Sequence, residues 1–139
     1  MTQVLSVGYE DREIGEFTAA MAAAGVSVLV DVRQTPSSRR KGFSKNKLAA
    51  ALAEVGIEYR HRPALGNPRD NRAAYRRGDP AARAVYDAVL ATPEAAEALE
   101  EIRDLRATDP IALLCLESDP TFCHRTQVIA AVDALDGDQ

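Results

Sequence analysis

Twice before residue 62 the chain repeats one unit: a helical segment, a glycine, and then a short β-branched run. In "REIGEFTAAMAAAG" (12–25), Ile14, Phe17, Met21 and Ala24 recur at helical spacing, and Gly25 sits where a helix stop requires positive φ. "VSVLVDVR" (26–33) follows, almost continuously apolar, which predicts a strand covered on both faces. "KNKLAAALAEVG" (45–56) repeats the helix and its glycine after a possible N-cap at Ser44, and "IEYRH" (57–61) repeats the strand. Helices interleaved with strands build right-handed βαβ crossovers, so the sheet is predicted to be mostly parallel.

The rest of the chain extends the pattern. "VLSVG" (4–8) is a first strand and "IALLCLE" (111–117) a last, fully buried one. The segments "AARAVYDAVLA" and "PEAAEALEEIRDLRA" are helices broken at Thr92-Pro93, and "CHRTQVIAAVDAL" is a closing helix with Val128, Ile129, Val132 and Leu135 inward. Between them, residues 63–80 are rich in Pro, Gly, Asn and Arg and read as a long connection with one helical turn. The predicted fold is therefore a single α/β domain over 1–139: a Rossmann-like, three-layer arrangement with helices on both faces of the sheet.

Composition narrows the partners. No apolar run is long enough to cross a bilayer, and the N-terminus lacks a basic segment followed by an apolar one, so a cytoplasmic protein is expected. In a reducing compartment the two cysteines, Cys115 and Cys123, are expected to be thiols. The net charge of −4 hides a sorted distribution, with thirteen of the seventeen basic residues between Arg33 and Arg83 against only four acidic ones. That asymmetry admits an anionic small molecule or nucleic acid as partner, alongside the simpler reading of a solvated basic face. A homo-oligomer is left open.

Parallel sheets bind ligands beyond the carboxyl ends of their strands. Four predicted strand ends carry the unusual residues: Gly8 and Tyr9 after the first, Asp31 and Arg33 at the second, His61 at the third, Cys115 and Glu117 at the fourth. Strand alternation places Asp31 with Arg33, and Cys115 with Glu117, on common faces. Asp31 either pairs with an arginine or serves as a general base. Glu117 needs a cation to stay charged at the end of a buried strand, and Arg33 and Arg125 are the candidates. The final helix starts at Asp119 with Pro120 in its first turn, or at Thr121; both choices put Cys123, His124 and Arg125 near backbone N–H groups that attract anions. Asp31, His61 and Glu117 are thus candidate catalytic residues. Gly8, Tyr9, Arg33, Ser38, Arg39, Cys123, His124 and Arg125 are candidate ligand-binding residues.

Sharper chemistries fit less well. Cysteine phosphatases place an arginine six positions after the nucleophile, whereas Arg125 stands ten after Cys115 and two after Cys123. No C-x2-C or H-x3-H pair suggests zinc, and no metal or other cofactor is expected.

The segments "SVGY", "VLVDVRQTPSSRRKGFSKNKLAAALAEVGIEYRHRPALGNP" and "CLESDPTFCHR" closely resemble the DUF488 family of small prokaryotic α/β proteins, nearly along the whole chain and in order. The resemblance implies the fold and a C-x-E…C-H-R ending but no reaction. One departure is Asn67, where that family commonly has a second glycine after Leu-Gly. If the glycine serves a positive φ, Asn is among the best substitutes. Together these readings lead to an enzyme or sensor acting on a phosphate-bearing ligand, nucleotide or nucleic acid, at the rim of the sheet, with a non-catalytic anion-binding module as the alternative.

Overall fold

The computed structural model describes residues 4–115 and 123–137. Among these residues four strands, β1 (Val4–Gly8), β2 (Val28–Asp31), β3 (Glu58–His61) and β4 (Ile111–Cys115), form one sheet in the order β1-β4-β2-β3. All three pairings are parallel: Gly8 lies opposite Cys115, and Asp31 lies opposite both Leu114 and His61. The carboxyl ends of the strands therefore meet at one edge, as the alternating pattern requires.

Among the described residues, six helices cover the sheet: α1 (Ile14–Ala23), α2 (Lys45–Glu54), α3 (Arg72–Arg76), α4 (Pro80–Leu90), α5 (Pro93–Arg106) and α6 (Arg125–Gly137). Strand alternation sorts the core into two layers. Val28 and Val30 of β2 and Ile111, Leu113 and Cys115 of β4 pack with Tyr75, Tyr86, Leu99, Ile102 and Val128 from α3 to α6. Leu29, Ala112 and Leu114 point the other way, onto Phe17 and Met21 of α1 and Leu48 and Leu52 of α2. Both central strands are buried throughout, which explains their lack of polar alternation.

Local signals set the boundaries. Gly25 and Gly56 stop α1 and α2 at φ +76° and +79°, a region that costs other residues a clash at Cβ. Asp79 and Thr92 cap α4 and α5 through side-chain oxygens that accept from Ala81 and Ala95 N–H, each with proline in the first turn. The 63–80 connection is more ordered than its composition suggests. Two 3-10 turns (Pro63–Leu65, Arg69–Asn71) lead into α3, and Arg62 clamps the first of them to α5 by a two-pronged ion pair with Glu101. That bond to Arg62 holds the Glu101 carboxyl below its ordinary pKa. Asn71 Nδ2 donates to Asn67 Oδ1 and to the Ala82 carbonyl, tying the loop to α4.

Asn67 corrects one expectation. No described non-glycine residue has positive φ, so asparagine is not there to replace glycine in a left-handed turn. It is buried, and its amide and carbonyl oxygens both accept hydrogen bonds, from Asn71 and Arg72. Gly66 beside it is extended, at φ −75° and ψ 142°, and its need is for space: a Cβ there would lie 2.4 Å from Gln34 Cα.

Candidate anion pocket at the carboxyl edge of the sheet

Past the ends of β1, β2 and β4 the chain leaves a cavity of about 130 Å³. This is roughly ten times the ~10–15 Å³ that one water needs, so the space suits a small ligand group. Tyr9 enters from the end of β1, Arg33 to Thr35 and Ser37 from the end of β2, and Cys115 from the end of β4. His124 comes from the approach to α6, and Asn67, Arg72 and Arg76 close the side. Arg72 and Arg76 stand one helical turn apart on α3, a spacing that puts them on one face while Tyr75 turns inward to meet Tyr86 edge-on. Arg72 Nε donates to the Asn67 carbonyl at 3.0 Å, which fixes the stem of the guanidinium at the cavity wall. No carboxylate lines the cavity among the described residues.

Arg33 is held rigidly. Its Nε and Nη2 donate to the two oxygens of Asp31 at 2.8 and 2.6 Å, and its Nη1 donates to Phe43 O at 2.7 Å and to Tyr9 Oη at 3.1 Å. Tyr9 is stacked on Phe43 with ring centroids 4.5 Å apart, and the Arg33 guanidinium lies over the Tyr9 ring. Burial alone would lower the Arg33 pKa, but the hydrogen bond and charge of Asp31 outweigh it and raise it. Asp31 is wholly buried and also accepts from Tyr59 Oη at 2.5 Å and from Arg33 N–H at 3.1 Å. Burial first, and then the bond to Asp31, push the Tyr59 hydroxyl well above its ordinary range. A carboxylate that accepts four hydrogen bonds in a closed site orients its partners and has no route to a ligand proton.

The predicted site residues separate into groups. Tyr9, Arg33 and His124 line the cavity. Asp31 stands behind it, on the α1/α2 side of the sheet and so on the opposite face from Cys115. His61 does not line it either; its Nε2 lies 2.8 Å from the Arg33 carbonyl, which makes the ring a brace for the β2 exit. Gly8 ends β1 opposite Cys115. Ser38 and Arg39 lie on a neighbouring shallow surface shared with Tyr9 and Ser37. Arg125 is completely buried at the start of α6. Glu117 and the turn containing Asp119, Pro120 and Thr121 fall outside the described residues.

The cysteines require a correction. Cys115 and Cys123, expected as separate thiols, are joined in a disulfide. The reason is geometric: the end of β4 and the approach to α6 bring both side chains into the same core layer, where they are 2% and 1% exposed. Eight residues of separation allow the pairing, and the expectation of thiols rested on compartment and on the small gain from one bridge. Sequence reasoning also missed Arg72 and Arg76 as lining residues. The available signal was "RAAYR", two arginines at helical spacing around a tyrosine within an otherwise loop-like stretch.

The model of a domain of unknown function, DUF488, matches residues 13–132. The chain belongs to the DUF488 family. No curated protein matches it. Among solved structures, this DUF488 chain is similar to two crystal structures of a "Putative phosphatase (DUF442)" from Shewanella putrefaciens CN-32. One has a TM-score of 0.60 at 15% identity over 100% of this chain and 69% of that one; the other has 0.50 at 17% over 85% and 59%. At such identities the likeness concerns the fold.

Proposed function

We propose that this DUF488 protein recognises a phosphate-bearing small molecule, with the phosphate seated between Arg33, Arg72 and Arg76. The observation that carries this reading is the makeup of the cavity: Arg33, Arg72 and Arg76 all line it, from the end of β2 and from α3. Arginine presents paired donors that match phosphate oxygens; Arg33, whose Nε and Nη2 donate to Asp31 and whose Nη1 donates to Phe43 and Tyr9, adds one remaining Nη2 proton from a fixed position. A phosphatase name attached to a protein of similar fold agrees with a phosphate ligand and adds no residue-level support. The burial of Asp31 favours recognition over proton transfer by that carboxylate.

Titration calorimetry with inorganic phosphate, nucleoside monophosphates and sugar phosphates tests the idea, together with an assay for released phosphate. Arg72→Ala and Arg76→Ala should each weaken binding by about tenfold to a hundredfold, since a hydrogen bond to a charged group contributes about 1.5–3 kcal/mol. The fold should barely change, because Arg72 is only half-buried and Arg76 is exposed. Unchanged affinity in the double variant would remove the pocket from consideration.

A longer polyanion, a nucleotide or nucleic acid, is favoured by a second observation. Exposed Arg39, Arg40, Lys41, Lys45 and Lys47 surround a shallow depression, and Arg39 and Arg40 share the adjoining surface with Tyr9. If a nucleic acid strand follows that path, log Kd should vary linearly with log salt. The Arg39→Glu, Lys41→Glu variant should flatten the slope while shifting stability by no more than about 0.5 kcal/mol. Short oligonucleotides that do not bind at low salt would restrict the ligand to small molecules.

A further inference from the structure

The disulfide lies against an imidazole whose tautomer the fold determines. His124 Nε2 is 2.8 Å from the Val32 carbonyl oxygen. A carbonyl only accepts, so in the neutral imidazole that nitrogen carries the proton and Nδ1 is the acceptor. Nδ1 lies 3.5 Å from Cys123 Sγ. The ligating atoms of Cys115, Cys123 and His124 all fall within 4.8 Å of one another, and all three residues are buried. Tyr86 packs edge-on against the imidazole at 5.1 Å and restrains its plane.

We propose that, once the disulfide is reduced, Cys115 Sγ, Cys123 Sγ and His124 Nδ1 form a binding site for a borderline-soft divalent cation, zinc foremost. Two thiolates and one imidazole are a donor set that selects such ions over magnesium or calcium. The Val32 carbonyl supplies the outer bond that ligating histidines almost always make through their other nitrogen. The Cα atoms of the cysteines are 7.4 Å apart, beyond the roughly 4.4–6.8 Å usual for a disulfide, so the sulfurs have room to part around an ion while the backbone stays in place. Cys115 and His124 also line the cavity, so a three-ligand ion here keeps its open position toward that space. Absence of a C-x2-C pair does not count against the site, because the strand end and the helix approach, and not local spacing, bring the donors together.

The chemistry balances with one external reagent. A dithiol reductant delivers two electrons and two protons to the disulfide, giving two thiols and its own oxidised form; the cation then displaces the two thiol protons to solvent. The site shares Cys115 and His124 with the wall of the phosphate pocket but does not rest on that reading, and its test omits phosphate and every other oxyanion ligand.

Protein reduced anaerobically and freed of reductant is titrated with Co(II), then with Zn(II). The expected result is about one equivalent of Co(II) with a thiolate charge-transfer band in the near ultraviolet and tetrahedral visible bands, both erased by Zn(II). Cys115→Ser and Cys123→Ser should each abolish the charge-transfer intensity of their own thiolate and weaken affinity at least tenfold. If a variant fails to fold, labelling of the wild type decides: Zn(II) should slow alkylation of both reduced cysteines. The oxidised protein should take up no cobalt at this site. Reduced protein with two titratable thiols and no cobalt band overturns the proposal. So do equal alkylation rates with and without Zn(II), or equal cobalt uptake in oxidised protein.

Discussion

Asp31→Ala is expected to destabilise the domain by about 3–5 kcal/mol, because it strands a buried guanidinium whose two principal acceptors are the lost carboxylate oxygens. The loss is a large part of the roughly 5–15 kcal/mol that holds a domain folded. It spreads beyond Arg33, since Tyr59 also loses its acceptor. Replacing both partners with apolar residues, Asp31→Leu with Arg33→Met, should cost clearly less than the sum of the single changes, because no charge is then left without its counterion. Urea unfolding of the two single variants and the double variant measures this. A loss below about 1 kcal/mol for Asp31→Ala would mean that water reaches Arg33 in its place.

Gly66→Ala is the second large effect. The added methyl would lie 2.4 Å from Gln34 Cα and 2.5 Å from Gln34 N, and backbone atoms cannot rotate aside as a side-chain tip can. About 3 kcal/mol, the upper end of the usual cost of overpacking, is expected in the same unfolding assay. The change separates two properties that Arg72 and Arg76 variants leave together. Gln34 and Asn67 both line the cavity, so pushing their segments apart should weaken phosphate binding even though no cation has been removed. Phosphate affinity that stays at the wild-type value in a destabilised Gly66→Ala protein would place the ligand elsewhere.

The fold was readable because its signals are local and repeated. Gly25 and Gly56 do what the sequence pattern requires, and the unbroken apolar runs of β2 and β4 follow from burial on both faces. The site was only partly readable. Alternation correctly joined Asp31 with Arg33, but which face of the sheet they occupy relative to Cys115 depends on how β4 registers against β2, and that is a long-range property. The disulfide and the position of Arg72 and Arg76 escaped for the same reason: each depends on where a connection returns in space. Asn67 shows the opposite hazard, a local rule about glycine turns applied where the real constraint is hydrogen bonding and room beside Gln34.

The strand order carries a consequence for how the protein is made. β1 and β2 do not touch; each pairs only with β4 on its inner side, through Val4–Ile111 and Val28–Ile111. The strand that occupies the gap is the last of the four to leave the ribosome. Until Cys115 has emerged, β1 has no strand partner at all, and the β2-β3 pair offers an open hydrogen-bonding edge. Closing loops of this length before any contact is gained slows folding and prolongs exposure of that edge. Protection of β1 amides from hydrogen exchange should therefore appear only once β4 is complete.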